Sequence, residues 1–492
     1  MDSMSIVTNF SKQPSKPRHS ALFFALLAVL AGGAAGFLVL EIDRPAYILA
    51  GLVGLAVFIG TVFSVELGLF ALVFLTYTRL SDIAVHMHNA PSIAKFFVAL
   101  LVVAILIRWA IFQESPRGWV RPAVLLGLYG LVGVASIISA NDPARVWETI
   151  TDYVKDAIIA LVVVILLQRG ESFRRVIWVL LIVGIFLGTL SAYQAFTRNF
   201  EQSFWGFAQA KLMQIVGEAN DYRIGGPIGD PNFYAQILVV LVPLALERFI
   251  HERKLILKFL AGWALLVTVF SIIFTYSRGG FLSMIVVLTL MFLFYPPRVY
   301  QAPVFIISLL TVAYFIPSNY FERVLTLQDF LTPNRSLHAE DISIRSRTSE
   351  NLAAWEMFKD HPFLGVGWRN YPLLYLEYAK EIGLAPEAEE RSAHNLYLEV
   401  AAETGAFGVA SFGLLIGTSL YLLFSARKKF RRAGLRHYVD MTTAYAVGLI
   451  GYLTAAMFIH AAYPRYLYLL LGIALSMSMI VKNELMPNTK PK

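Results

Sequence analysis

Arg278 is the side chain of this sequence that most needs a partner. It sits in Tyr276-Ser277-Arg278-Gly279-Gly280, between two apolar runs. A guanidinium beside hydrocarbon is expensive unless it meets water, a carboxylate or a phosphate. It either snorkels from a short hairpin or is held by closely packed helices to grip a phosphorylated head group, with Tyr276 next to it as a further candidate contact. A second cluster, Asp221-Tyr222-Arg223-Ile224-Gly225-Gly226-Pro227-Ile228-Gly229-Asp230-Pro231-Asn232, leads straight into the apolar stretch that begins at Phe233. Its glycines let backbone approach a ligand or a neighbouring helix, and Asp230 or Asn232 suits the cap of the new helix. Arg223 has no such local duty. It reads either as an anion contact or as half of an ion pair with Asp221 or Asp230. No Lys-Ser or Lys-Thr follows the glycines, so the cluster is not a nucleotide loop.

His394, in Ser392-Ala393-His394-Asn395, is the third feature. Histidine alone titrates near neutral pH without perturbation, which suits proton transfer, although at the start of a helix it serves equally as a structural hydrogen-bonder. Asn395 lies off its helix face, and Glu399 and Glu403 lie too far along, so the sequence assigns it no orienting partner. Arg465, in Tyr463-Pro464-Arg465, is a fourth candidate at a helix end. His86-Met87-His88 supplies only two metal ligands without a carboxylate set, which is a weak site. Cysteine is absent, so disulfides, thiolate nucleophiles and cysteine metal sites are excluded.

These residues must be held by membrane helices. The chain of 492 residues is 57% hydrophobic and only 15% charged, where a soluble domain would be about a quarter charged. Its apolar residues fall in runs near the roughly 20 needed to cross hydrocarbon, where only self-bonded backbone is tolerated. The spacing predicts an all-α polytopic protein with about fourteen crossings. They fall near 21–40, 45–63, 64–79, 92–111, 119–139, 153–168, 174–196, 232–249, 257–275, 279–296, 299–316, 403–425, 441–461 and 464–481. The run Ala21 to Leu40 follows Lys12, Lys16 and Arg18 but reads as a retained first helix, because many similar runs follow it. Basic clusters at alternate loops, such as Arg169, Arg174 and Arg175, and Arg427 to Arg436, put both tails (1–20 and 482–492) in the cytoplasm. The net charge of +8 then reads as loops facing anionic lipid rather than nucleic acid.

Two long segments, 197–231 and 317–402, fall on the other side, dividing the crossings into 21–196, 232–316 and 403–481. The second is a predicted folded cap. It has a helix-like stretch from Ser349 to Phe358, a turn-rich His361-Pro362-Phe363-Leu364-Gly365-Val366-Gly367, and a second helix beginning near Ser392.

Three motifs together resemble the O-antigen ligase and Wzy-type polymerase superfamily of bacterial envelope proteins. They are Tyr276 to Gly280, His361 to Gly367, and Ser392 to Glu399, the last continuing as Glu403-Thr404-Gly405-Ala406-Phe407-Gly408. The resemblance covers about 220–410 and implies a C-type membrane glycosyltransferase fold in the bacterial inner membrane, with a periplasmic active site. It implies a metal-independent, inverting transfer, without cofactor, from an undecaprenyl pyrophosphate-linked glycan. Arg278 and Arg223 would contact the pyrophosphate, and His394 would lie beside the acceptor hydroxyl. Arg347 matches an arginine that commonly precedes the cap helix, but Asn351 stands where many relatives carry tryptophan. Arg347, Arg465, Asp230, Asn232, Asn395 and Tyr276 are the expected substrate contacts. The acceptor could be lipid A core, another lipid-linked glycan or a protein, and subunit number stays open. A lipid-linked glycan transporter is the non-enzymatic alternative. It predicts ionisable groups near mid-membrane, whereas runs such as Leu282 to Phe294 are almost purely apolar.

Overall fold

The computed structural model describes residues 45–216, 219–296, 342–382, 391–460 and 464–486. The expected crossings at 21–40 and 299–316, the tail 1–20 and the first part of the cap, 317–341, lie outside the described residues. Contacts divide the chain into two units, 1–64 and 65–492. The described part of the first is helix α1 (Pro45–Phe63), which carries no charged residue.

The second unit is a helical bundle. Its helices are α2 (Val65–Thr78), α3 (Leu80–His88), α4 (Ile93–Ala110), α5 (Val120–Ala135), α6 (Pro143–Leu166) and α7 (Gly170–Thr197). After a hairpin come α8 (Pro231–His251), α9 (Leu255–Phe274) and α10 (Arg278–Phe294), and then α11 (Ile342–Asp360) and α12 (Tyr371–Glu381), which fall in the segment expected as the cap and take its name. The last four are α13 (Leu396–Arg432), α14 (Arg436–Ala455), α15 (Pro464–Leu475) and α16 (Met477–Leu485). Among the described residues, eight helical spans are long and apolar enough to cross a membrane, and nine if α2 and α3, bent by 52° at Arg79, count as one. The chain is a multi-pass membrane protein.

Two expectations change. The crossing expected at 153–168 belongs to a helix that starts ten residues earlier, where Asp142 accepts from the amides of Ala144 and Arg145 and Pro143 takes the first position. Its first fourteen residues carry Arg145, Glu148, Asp152, Lys155 and Asp156, which hid it from a hydropathy reading. The segment 197–231, expected only as a loop, contains the antiparallel hairpin β1 (Gln209–Val216) and β2 (Ala219–Gly226), so the fold is not purely helical.

Helix α8 runs through the centre, with 83% of its apolar span buried, whereas α4 buries 11% and faces outward. Gly448 and Gly451 of α14 let that helix lie against α8. A Cβ at 448 would come 2.8 Å from the Val240 carbonyl oxygen, and one at 451 2.7 Å from a Val239 methyl.

The cap is stitched to α13 by backbone. Val366 and Gly367 donate to the carbonyls of Ala402 and Glu403, and Ala406 and Phe407 donate to those of Pro362 and Phe363. Gly405 breaks α13 at this point with φ 63° and ψ −162°, freeing the groups that the cap loop takes up. A Cβ on Gly365 or Gly405 would sit 2.3 Å from the opposing backbone. The His361–Gly367 and Glu403–Gly408 motifs are therefore two halves of one joint. Within the cap, Ala353, Met357, Val366, Tyr371 and Tyr375 form a small core. Trp368 donates its amide to Ser136 and Asn370 accepts the Asp142 amide, which ties the cap to the α5–α6 turn.

Candidate functional site

Helix α10 begins at a tight turn. Tyr276 adopts φ 51°, Ser277 accepts the Gly280 amide as N-cap, and Arg278 is the first helical residue. Arg278 is buried, as are its neighbours. The two glycines after it are required by packing: a Cβ on Gly279 would press on Phe458 at 2.8 Å and one on Gly280 on Ala235 at 2.5 Å. A helix start of this kind concentrates unpaired N–H groups and the positive end of the helix dipole, so it favours anions.

Strand β2 delivers Arg223 to the same turn. Its Nε donates to the Thr275 carbonyl at 2.8 Å and its Nη2 to Asn232 Oδ1 at 3.1 Å, and the side chain is buried. Asp230 accepts the amides of Asn232 and Phe233 and so caps α8. Asp221 accepts from the Tyr276 hydroxyl at 3.0 Å and pairs with Arg198. A narrow depression lies over the turn. It is lined by Asn232, by Ser277, Gly279 and Gly280, by Arg347 from the cap, and by Ala455, Phe458 and Ile459 after α14.

His394 meets the helix that carries Arg347, one turn further along it. Its Nδ1 lies 2.8 Å from Glu350 Oε2 and 3.1 Å from the Ser392 carbonyl. Glu350 is fully buried, and its other oxygen accepts from Arg391 at 3.2 Å. With Nδ1–H donated to this carboxylate, Nε2 carries the lone pair. Arg347 and Glu350 are three residues apart on α11 and so share a face. One helix thus presents a cation to the depression and a carboxylate to the histidine.

Sequence reasoning missed Glu350, because its partner lies 44 positions away. It also expected a helix from Ser392 through His394. The helix instead starts at Leu396, with Asn395 accepting the amides of Tyr397 and Leu398, and His394 precedes it with φ 43°. Asn395 is therefore a cap, fixed by bonds within three residues.

His460, also unnoticed in the sequence, joins the two halves. Its ring packs edge-on against His394, with centroids 5.2 Å apart, and against Phe233 at 5.1 Å. Phe233 follows Asn232 and Ile459 precedes His460, and both Asn232 and Ile459 line the depression. Burial, and then the charges of His394, Arg347 and Arg369, push the His460 pKa down to about 3.

The structure thus brings Arg278, Arg223, Asn232, Arg347 and His394 to one end of the bundle, with Tyr276 tied to Asp221 and Asp230 capping α8. Arg465 does not join them. It pairs with Asp156 at 3.2 Å and Asp82 at 3.4 Å, and Asp82 also holds Arg79. Among the described residues, no group of three or more His, Cys, Asp or Glu side chains is arranged to hold a metal ion.

Residues 263–413 match the family model described as O-Antigen ligase. The match includes Arg278, Arg347, Glu350 and His394 and leaves Arg223 and His460 outside it. No curated protein matches the chain.

Proposed function

The chain belongs to the O-antigen ligase family through residues 263–413, and from that premise we propose that it moves a glycan from undecaprenyl pyrophosphate to an acceptor hydroxyl at the periplasmic face of the bacterial inner membrane. The family makes it a glycosyltransferase-like membrane enzyme acting on a lipid-linked glycan and an acceptor. The observation that carries the finer reading is α11, which sets Arg347 over the anion-favouring start of α10 and Glu350 behind His394.

In this mechanism the pyrophosphate lies at the α10 N-terminus, beside Arg278, Arg223 and Arg347. The acceptor oxygen attacks the anomeric carbon from the face opposite the leaving group. The new C–O bond forms as the bond to phosphate breaks, the electron pair leaves with undecaprenyl pyrophosphate, and the centre inverts. Guanidinium and amide donors already in place stabilise the charge that grows on the phosphate, most effectively where water is excluded. His394 Nε2 takes the acceptor proton, and Glu350 steadies the imidazolium that results.

The acceptor is lipid A core in the ligase form of this reading. A second lipid-linked glycan would make the protein a polymerase, and a protein hydroxyl would make it an oligosaccharyltransferase. The test gives the purified protein a defined undecaprenyl pyrophosphate glycan with, separately, core lipid, a second donor or a peptide. Product mass names the acceptor. Release of undecaprenyl pyrophosphate with inverted product supports the mechanism, and strict dependence on added metal, or no transfer to any acceptor, overturns it.

A further inference from the structure

Among the polar groups of this end of the bundle, His460 has a geometry that the proposed chemistry does not use. Its Nδ1 is shielded from solvent and finds no hydrogen-bond partner among the described residues. Buried polar atoms are nearly always paired, because an unpaired one loses its water without compensation. The ring is pinned by aromatic contacts on two sides, Phe233 and His394, so its orientation is set by packing rather than by a bond to nitrogen.

We propose that His460 is the uncharged hydrogen-bonding contact for a hydroxyl of the sugar being transferred, which it receives between the anion-binding turn and His394. The inference rests on the reading of the site given above. An inverting transfer needs the sugar ring between the leaving phosphate and the base, and His460 occupies that interval: one neighbour in sequence, Ile459, lines the depression, while its own ring touches His394. The chemistry of the ring narrows the ligand. A cationic imidazole would suit a phosphate, but His394, Arg347 and Arg369 all oppose a further positive charge here. A neutral imidazole has one N–H and one lone pair, the complement of a hydroxyl that both donates and accepts. Remaining neutral also lets His394 gain its proton without a second charge beside it. Because Nδ1 is shielded, contact with the sugar requires the ring or its neighbours to shift on binding.

The test compares two probes binding to the full chain in detergent: undecaprenyl pyrophosphate alone, and undecaprenyl pyrophosphate carrying one N-acetylglucosamine. His460→Phe keeps the aromatic packing and removes both nitrogens. It should bind the bare carrier as the parent does and the sugar-bearing carrier about two- to tenfold more weakly, the ordinary worth of one hydrogen bond. His460→Gln, which can still donate and accept, should recover part of that loss. Equal affinity of the parent for both probes, parental binding of both by His460→Phe, or an equal loss on both, overturns the assignment. Arg278→Ala separates this from the wider reading, since it should lose both probes. If it keeps both, the donor site itself is wrong, whatever His460 does.

Discussion

The two ends of α8 carry opposite kinds of polar chemistry. At its C-terminal end Glu247 is fully buried against Arg248, and Glu252 holds both Arg248 and Arg174. His251 lies 3.5 Å from Glu247 and 3.7 Å from Asp440. Acid and base are matched there, and the network closes on itself. The helix has 21 residues, so its other end is about 30 Å away. At that end Asp230 caps backbone, Arg223 donates to the Thr275 carbonyl, Arg347 lines the depression over the start of α10, and the His460 ring packs against His394. The first network joins side chains of opposite charge to one another; under the proposed function, the second end is where the anionic donor is received.

Exchanging damage between the two ends is the sharpest way to break this comparison. His394→Ala should lower turnover by roughly 10²–10⁴ with little change in melting temperature. Arg248→Ala should do the reverse, because it strands buried Glu247; a loss of about 3–5 kcal/mol in stability is expected, with the folded fraction keeping its KM. If both variants lose activity and stability together, the division between the ends is wrong. Arg278→Ala should reduce turnover by roughly 10²–10³. Arg278→Lys should recover little of it, since an ammonium lacks the planar fork; parental donor binding in both would remove the clamp.

Glu350→Gln keeps a hydrogen bond to His394 but loses the charge behind it. A fall in kcat on the order of tenfold to a hundredfold, with KM unchanged and the pH–rate profile displaced, would mark it as a positioning residue. A change confined to melting temperature would make it structural. The last effect concerns acid stability. His460 is held near 3 in the fold against an ordinary 6.5, so between those values the unfolded chain binds a proton that the folded chain refuses. The stability linked to this ring is therefore complete above pH 6.5 and is lost as pH falls towards 3. Melting temperature measured from pH 7 to 4 should fall more steeply in the parent than in His460→Phe, and parallel curves would argue against a buried neutral ring.

Much of the scaffold was legible because its signals are local. Runs at 92–111, 174–196 and 257–275 correspond to α4, α7 and α9 within a few residues, since each apolar run must bond its own backbone. Asp230 as a cap was readable for the same reason. The start of α6 was also written locally, as Asp142-Pro143, but its charged first half masked it. The β-hairpin was not legible: Gln209–Gly226 mixes polar and apolar residues without a clean alternation. The partners of Arg465 were not legible, because position at a helix end says nothing about the acids that meet it. Its partner Asp156 is 309 positions away.

What the sequence determined by itself is whatever a side chain settles with its own neighbours: which stretches are apolar enough to span, where Asp230 begins a helix, and which glycines free the backbone. The tertiary structure alone decided that Glu350 stands behind His394, that Arg223 reaches the Thr275 carbonyl, and that His460 lies between Phe233 and His394. The physical reason is range. Caps and hydrophobic spans are fixed over one or two turns of chain, whereas a charge pair or a ring contact depends on which helices pack together, and that is set by the whole core at once.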